Sequence, residues 1–254
     1  SEQLDWLIET DPDYLLTFPS NLKALLQDSH ERGVKPQKLR QVATMSETLD
    51  PAVRQICMRV WNAQIVDAYS SEELGFIALQ CPENTHYHVQ SESVFVEVLD
   101  DDGAPCAPGR VGRLVVTDLH NFASPLIRYE IGDHAEVGEP CSCGRGLPVL
   151  NRIAGRTRNM LTLPSGDRVW PSFPESEMMP IAPIRQFQII QHDLQSVEAR
   201  FVTARNLTDD EIGQLRIYLT KCLQHNFELE LVFVDEIARA PNGKYEDFVS
   251  RVGI

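Results

Sequence analysis

No stretch of this 254-residue chain approaches the roughly 20 consecutive apolar residues that a bilayer span needs. Its opening, SEQLDWLIET, lacks the basic-then-apolar order of a secretory signal, so a cytoplasmic location and no membrane partner are expected. Basic residues are outnumbered. With 23 Lys and Arg against 37 Asp and Glu, the formal charge is -14, and no basic cluster offsets it, which argues against nucleic acid as a partner. Cysteine is scarce too. Cys57, Cys81, Cys106, Cys141, Cys143 and Cys222 are too few at this length for a disulfide framework, leaving reduced thiols or a metal site. There is no internal repeat and no low-complexity tract. What remains is ordinary globular material, 43% hydrophobic and 24% charged, enough to form one large domain or two unequal ones.

Ser1 opens directly into a helical pattern, with Leu4, Leu7 and Ile8 on one face, which suits a processed end or a piece of something longer. DPDYLLTFPSNLKALLQDSHERG predicts a short buried strand, then a helix capped by Ser20 or Asn21 and stopped by Gly33. LRQVATMSETLDPAVRQICMRVW repeats the pattern, with Asp50 as cap and Pro51 in the first turn, where a missing N–H costs nothing. QIVDAY follows as a third strand, and strands alternating with helices imply parallel pairing in an α/β sheet. From residue 75 to about 155, the short runs GFIALQ, SVFVEVLDDDG, GRLVVTDL and DHAEVG suggest an antiparallel sheet or distorted barrel packed on that layer. The last hundred or so residues read as a compact α+β unit. It has a hairpin in NMLTLPSGDRVW, strands in IRQFQIIQ, SVEARFV and ELVFV, and a helix opened by Thr208 and Glu211 in capping-box spacing. The boundary is placed near Asn159, giving domains 1–158 and 159–254.

Four stretches could carry chemistry. In EPCSCGRGLPVLNRIAGR, Cys141 and Cys143 could be two thiolate ligands of one metal but need two more. CPENTHYHV offers Cys81 and His88, with His86 as a rival, to close a tetrahedral structural zinc site. On spacing alone, small buried thiols are an equal alternative. DAYSSEELGF places Tyr69, Glu72 and Glu73 where a strand emerges, the usual position of ligands in α/β sheets, although a solvated turn would read the same way. In LIRYEIGDHAEV, Asp133 follows Ile131-Gly132, as on a tight turn suited to accepting ribose hydroxyls or as in an ordinary hairpin. In ARAPNGKYEDF, Lys244 follows a Pro-Asn-Gly turn signal, and most such lysines are solvated surface charges.

In this order, YSSEELG, LIRYEIGD, CSCGRGLPVLNRIAGRTRN and NGK resemble the adenylate-forming superfamily, in its branch of phenylacetate-CoA ligases and capsule-biosynthesis-type ligases. The resemblance covers essentially the whole chain. It implies a fold of α/β plus α+β class, in which the remnant of the large domain, an α/β sheet with a β-rich subdomain, precedes a small α+β lid. It also implies activation of an organic carboxylic acid, with aromatic acids among the expected substrates, by ATP to an acyl adenylate, followed by transfer to coenzyme A. By position, Glu73 matches the magnesium-binding glutamate, Tyr69 the aromatic neighbour of adenine, and Asp133 the ribose-binding aspartate. Arg156 matches a ribose-contacting arginine beside the hinge, and Lys244 the lysine that the small domain brings to the α-phosphate, where a cation offsets developing charge. A Cys and His followed by a C-x-C pair recurs in this branch, which favours zinc at Cys81, His88, Cys141 and Cys143. A homodimer is a further expectation.

The departures are specific. Met45 and Ser46 stand where the family has glycines, Glu72 where a serine or threonine is usual, Glu130 where arginine is common, and Asn159 replaces the hinge aspartate. The glycine- and hydroxyl-rich phosphate loop is absent, and so is most of the large domain's first half. The chain is therefore expected to be the C-terminal portion of a ligase, catalytically weak or dead without the missing N-terminal segment. A degenerate module that keeps fold and zinc for binding or assembly is the alternative.

Overall fold

The computed structural model describes residues 1–239 and 245–252. Two compact units divide the chain, one of residues 1–155 and one of residues 156–254. The division falls three residues before the position placed from sequence.

The first unit begins with three α/β steps. Helix α1 (Glu2–Thr10) carries Glu2 and Asp5 in its first turn, where the helix dipole favours negative charge, and buries Leu4 and Leu7. Strand β1 (Tyr14–Thr17) leads to α2 (Pro19–Arg32), β2 (Gln41–Met45) to α3 (Pro51–Trp61), and β3 (Gln64–Ser71) completes the parallel set β1-β2-β3. As expected, Asp50 caps α3, its carboxylate accepting from Ala52 N at 2.8 Å. Two expectations fail here. Helix α2 starts earlier than Ser20, because Pro19 fits the first helical position and Phe18 becomes the uncapped flanking residue. Strand β1 is not buried: as the sheet's edge it leaves Tyr14 66% and Leu16 65% exposed. Beneath the three strands lies one core of Leu4, Leu22, Leu26, Val42, Val53, Trp61 and their neighbours. A polar chain inside it is satisfied in series, with Trp61 Nε1 donating to Ser29 Oγ at 2.8 Å and Ser29 Oγ donating to the Val34 carbonyl.

The β-rich stretch is not a separate layer packed on the α/β part. Strands β4 (Gly75–Gln80), β5 (Tyr87–Val89), β6 (Val94–Leu99), β7 (Val111–Asp118), β8 (Tyr129–Val137) and β9 (Val149–Arg156) extend the same sheet. The nine strands run in the order β1-β2-β3-β4-β5-β9-β8-β7-β6. Antiparallel hairpin β3–β4 converts the parallel half into the antiparallel half, and β5 pairs with β4 on one side and with β9 rather than β6 on the other. A second core, with Ile77, Val89, Val94, Leu114, Val116 and Ala135, lies on this half.

In the second unit, hairpin β10–β11 (Leu161–Thr162, Arg168–Val169) and the short helix α4 (Glu175–Met178) precede a four-stranded sheet. Its strands β12 (Ile184–Gln191), β13 (Ser196–Thr203), β14 (Glu228–Phe233) and β15 (Phe248–Ser250) lie in the order β14-β13-β12-β15. Helix α5 (Asp209–Leu223) crosses from β13 to β14, and those two strands pair in parallel, as a helical crossover permits. The predicted capping box is complete: Thr208 Oγ1 accepts from Glu211 N, and Glu211 Oε2 accepts from Thr208 N at 2.8 Å. Leu215, Tyr218, Leu219 and Leu223 of α5 close over Phe187, Ile189, Ala199 and Phe201 of the sheet. No described helix is long and apolar enough to cross a membrane.

Candidate functional site

The sheet reversal at β3–β4 places the first cluster. The β3–β4 turn holds Glu72 and Glu73, both exposed, with Leu74 N bonded to Ser71 Oγ and Gly75 at φ +68°. Two residues before the turn the register shifts between Tyr69 and Ser70, a bulge that re-aims side chains next to the strand end. Asp133 sits on β8, and the tight turn expected around it is instead an irregularity inside a continuous strand. Arg113 faces His134 while Val115 faces Glu130, and Gly132 adopts φ +81°. A left-handed residue inside a strand is a glycine position, and the extra β8 residues turn the Asp133 carboxylate inward, where it is buried. There it accepts a hydrogen bond from Tyr69 Oη at 2.6 Å. Two residues from separate motifs thus meet on one face of the sheet.

A second polar group, not foreseen from sequence, centres two residues before Tyr69 on β3. Asp67, buried on β3, accepts hydrogen bonds from Thr44 on β2 and Tyr87 on β5. Burial pushes its carboxyl above the ordinary carboxylate range, only partly offset by those donors and by Arg54. Beyond Met45, Ser46 adopts φ +71°, so the backbone keeps the conformation that glycine favours although the side chain is serine.

The Cys/His cluster is built by the β4–β5 hairpin and the loop before β9. Cys81 N donates to the His86 carbonyl at 2.8 Å, closing the hairpin so that the two residues oppose each other, and His88 follows His86 on the same face of the chain. Cys81, His86, His88 and Cys141 each bring one donor atom to within 4.8 Å of the others. The Cys81 and Cys141 sulfurs are 3.8 Å apart, far from a disulfide. They match the edge of about 3.8 Å that a tetrahedron with zinc–sulfur bonds of about 2.3 Å requires. Cys143 Sγ stands 3.2 Å from His88 Nε2, and Cys143 N points at Cys141 Sγ at 3.4 Å. Asn84 Nδ2 lies 3.6 Å from both the Cys81 and Cys141 sulfurs, a bridging donor that the sequence signalled only by its position three residues past Cys81. Burial pushes the Cys81 thiol up, but hydrogen bonds from the Glu83 backbone, Asn84, His88 and Cys141 outweigh it and bring the pKa down to about 5. Buried nitrogens His86 Nε2 and His88 Nδ1 have no hydrogen-bond partner. Unpartnered imidazole nitrogens among thiols, one of them thiolate-prone, form a donor set that fits zinc.

The remaining candidates belong to the second unit. Arg156 ends β9 at the first position of that unit, and Lys244 lies outside the described residues. Asn159 donates from Nδ2 to the Phe248 carbonyl of β15 at 2.6 Å, a bond that the usual aspartate could not make. The structure therefore brings Tyr69 together with Asp133, and Cys81 with His86, His88 and Cys141, while Cys143 meets that group through His88 and Cys141. A hollow of about 700 Å³ near Ile8, His30, Gly33 and Arg59 lies apart from both clusters.

A family model described as the CapK C-terminal domain matches residues 164–251. A phenylacetate-coenzyme A ligase of Thermus thermophilus is 31% identical over 187 residues, 70% of this chain and 42% of that protein. One from Pseudomonas putida is 25% identical over 228 residues, 86% of this chain and 51% of that protein. The chain thus spans about half the length of the curated relatives it matches. Among solved structures, 2-hydroxyisobutyryl-CoA ligase in complex with 2-HIB-AMP superposes with a TM-score of 0.78 at 20% identity, covering 98% of this chain and 56% of that one. The anthranilate CoA ligase AuaEII in complex with anthranoyl-AMP gives a TM-score of 0.73 at 17% identity, covering 96% and 50%. Fold and relatives together support the adenylate-forming superfamily. Within that superfamily these matches support the branch of phenylacetate-CoA ligases and capsule-biosynthesis-type ligases, to which the chain is similar over the spans given.

Proposed function

We propose that this chain is the part of an AMP-forming ligase that grips the nucleoside. The complete enzyme activates an organic carboxylic acid with ATP to an acyl adenylate and passes the acyl group to the thiol of coenzyme A. The observation that carries this reading is the Tyr69–Asp133 hydrogen bond, which joins two separated family motifs at one point. Asp133 accepts the ribose hydroxyls, Tyr69 flanks the adenine, and Arg156 adds a contact to the ribose. Glu73 holds Mg²⁺ against the phosphates from an exposed turn. Lys244 offsets charge on the α-phosphate as the acyl–phosphate bond forms, and a lid-borne cation of this kind can withdraw before thiol transfer. In this reading residues 1–158 are nucleotide platform and residues 159–254 are lid.

Cys81, His88, Cys141 and Cys143 hold a structural zinc that ties the β4–β5 hairpin to the loop before β9. When bound, the ion supplies cross-linking rather than chemistry. A segment equivalent to the first half of the relatives supplies the phosphate loop. The test is ATP–pyrophosphate exchange with a panel of aryl and alkyl acids. The chain joined to such a segment exchanges, the chain alone does not, and Lys244→Ala abolishes exchange while sparing transfer from preformed acyl adenylate. Loss of both steps alike contradicts the role of Lys244, and exchange by the isolated chain contradicts the division of labour.

One observation favours the alternative of a degenerate module used for binding or assembly: the Asn159 amide is committed to the Phe248 carbonyl, as befits a structural strut. That reading gains if the joined protein binds no ATP by calorimetry.

A further inference from the structure

The cluster offers more donors than a tetrahedral ion uses. Cys81, His86, His88 and Cys141 bring donor atoms within 4.8 Å of one another, and Cys143 reaches the group through His88 Nε2 as a fifth donor, so that His86 and Cys143 compete for the position beside Cys81, His88 and Cys141. The two competitors come from different segments of the chain. His86 is held against Cys81 by the hairpin-closing hydrogen bond, and its Nε2 is buried without a partner. Cys143 rides on a loop whose neighbours Ser142, Gly144 and Arg145 are exposed, and it meets the cluster through His88 Nε2. Each segment therefore presents a pair spaced two residues apart, His86/His88 on the hairpin and Cys141/Cys143 on the loop, with Cys81 on the hairpin opposite His86.

Charge distinguishes the two occupancies. Three thiolates and one imidazole around Zn²⁺ leave a net charge of -1, whereas two thiolates and two imidazoles leave the centre neutral. In a chain already at -14, the neutral centre carries the smaller desolvation and repulsion cost, while the third thiolate gives the stronger donor.

We propose that His86 is a reserve ligand: when the Cys143 thiol is removed or blocked, His86 takes its place and the ion stays bound. This rests on the reading of the cluster as a metal site and adds that the site tolerates loss of one named thiol but not of the other two.

The experiment uses the full chain and its Cys143→Ser, His86→Ala, double and Cys141→Ser variants. Each is titrated with Zn²⁺ and with Co²⁺, whose thiolate charge-transfer and d–d bands count sulfur ligands and report geometry. Wild type is expected to bind one ion. Cys143→Ser also binds one ion, with the thiolate band reduced by about a third and the tetrahedral d–d intensity kept, while the double variant binds at least tenfold more weakly than either single change. Cys141→Ser loses the ion. If Cys143→Ser alone loses the ion, or if the double variant matches Cys143→Ser, the reserve role is overturned. Should the double variant fail to fold, the Cys143→Ser cobalt spectrum decides: collapse of the d–d intensity to that of a five- or six-coordinate ion overturns the proposal. A wild type that binds no metal overturns the metal site itself, an outcome distinct from these.

Discussion

Tyr69 and Asp133, 64 residues apart in sequence, are joined by a 2.6 Å hydrogen bond from phenol to carboxylate. The bond fixes the carboxylate's direction and commits one of its oxygens before any nucleotide arrives. Asp133→Ala is expected to weaken AMP binding about tenfold or more, since hydrogen bonds to a charged group are each worth about 1.5–3 kcal/mol. Tyr69→Phe keeps the ring and releases the oxygen, so its effect should stay within a few-fold. Calorimetry with AMP on the chain joined to its upstream half measures both, and equal losses would mean that the phenol, not the carboxylate, is the dominant contact.

Metal removal should destabilise one unit and spare the other. All five candidate donors lie within residues 1–155. An ion present at a hundred times its dissociation constant adds about 2.7 kcal/mol, or about 5–10 °C in the melting of a unit this size. Calorimetric scans with and without a chelator should show that shift in one transition only. A uniform shift, or none, would contradict a site confined to the β4–β5 hairpin and the loop before β9.

Asn159→Asp is expected to cost about 1–3 kcal/mol, because the Phe248 carbonyl loses its donor and faces a carboxylate. Asn159→Ala removes the donor without adding the charge and should cost less. Urea unfolding followed by near-ultraviolet signals of the second unit compares the two. If aspartate is tolerated as well as asparagine, the strut is not structural.

Acid should loosen α5 in a defined window. The Arg205 guanidinium, followed by Thr208 N–H, holds Glu211 down to about 2 from an ordinary 4.5. A depressed carboxyl stabilises the folded state fully above the unfolded value, and that contribution is lost as pH falls from about 4.5 through about 2. Helical signal followed between pH 6 and pH 2 should therefore fall more for wild type than for Glu211→Gln, which has already lost the charge. Parallel curves would place the acid sensitivity elsewhere.

Local chemistry was the most legible part of this chain. Asp50, Gly33 and the Thr208/Glu211 box marked helix ends because capping acts over three or four residues, all visible in sequence. Strands β5 and β9 escaped detection. Tyr87–Val89 is only three residues long, and VLNRIAGR hides its alternation behind the glycine-arginine motif that drew notice. Asp133 reads from sequence as a tight-turn residue but lies on an irregularity inside β8, since a bulge and a turn share the Ile-Gly-Asp signature and differ only in whether the partner strand continues. The Thr44–Asp67–Tyr87 group was invisible because its members become neighbours only when β2, β3 and β5 align. Ser46 shows the reverse case, in which a serine at an expected glycine position adopts φ +71°, the left-handed backbone that glycine favours.

The late pairing of β5 with β9 also sets a schedule for synthesis. As the chain leaves the ribosome, the first five strands can assemble, but the open side of β5 must wait for residues emitted some 60 positions later, the separation that parts Cys81 from Cys141. At about 5–20 residues per second that delay is about 3–12 s, during which a bare strand and the half-built thiol cluster face solvent or a chaperone together.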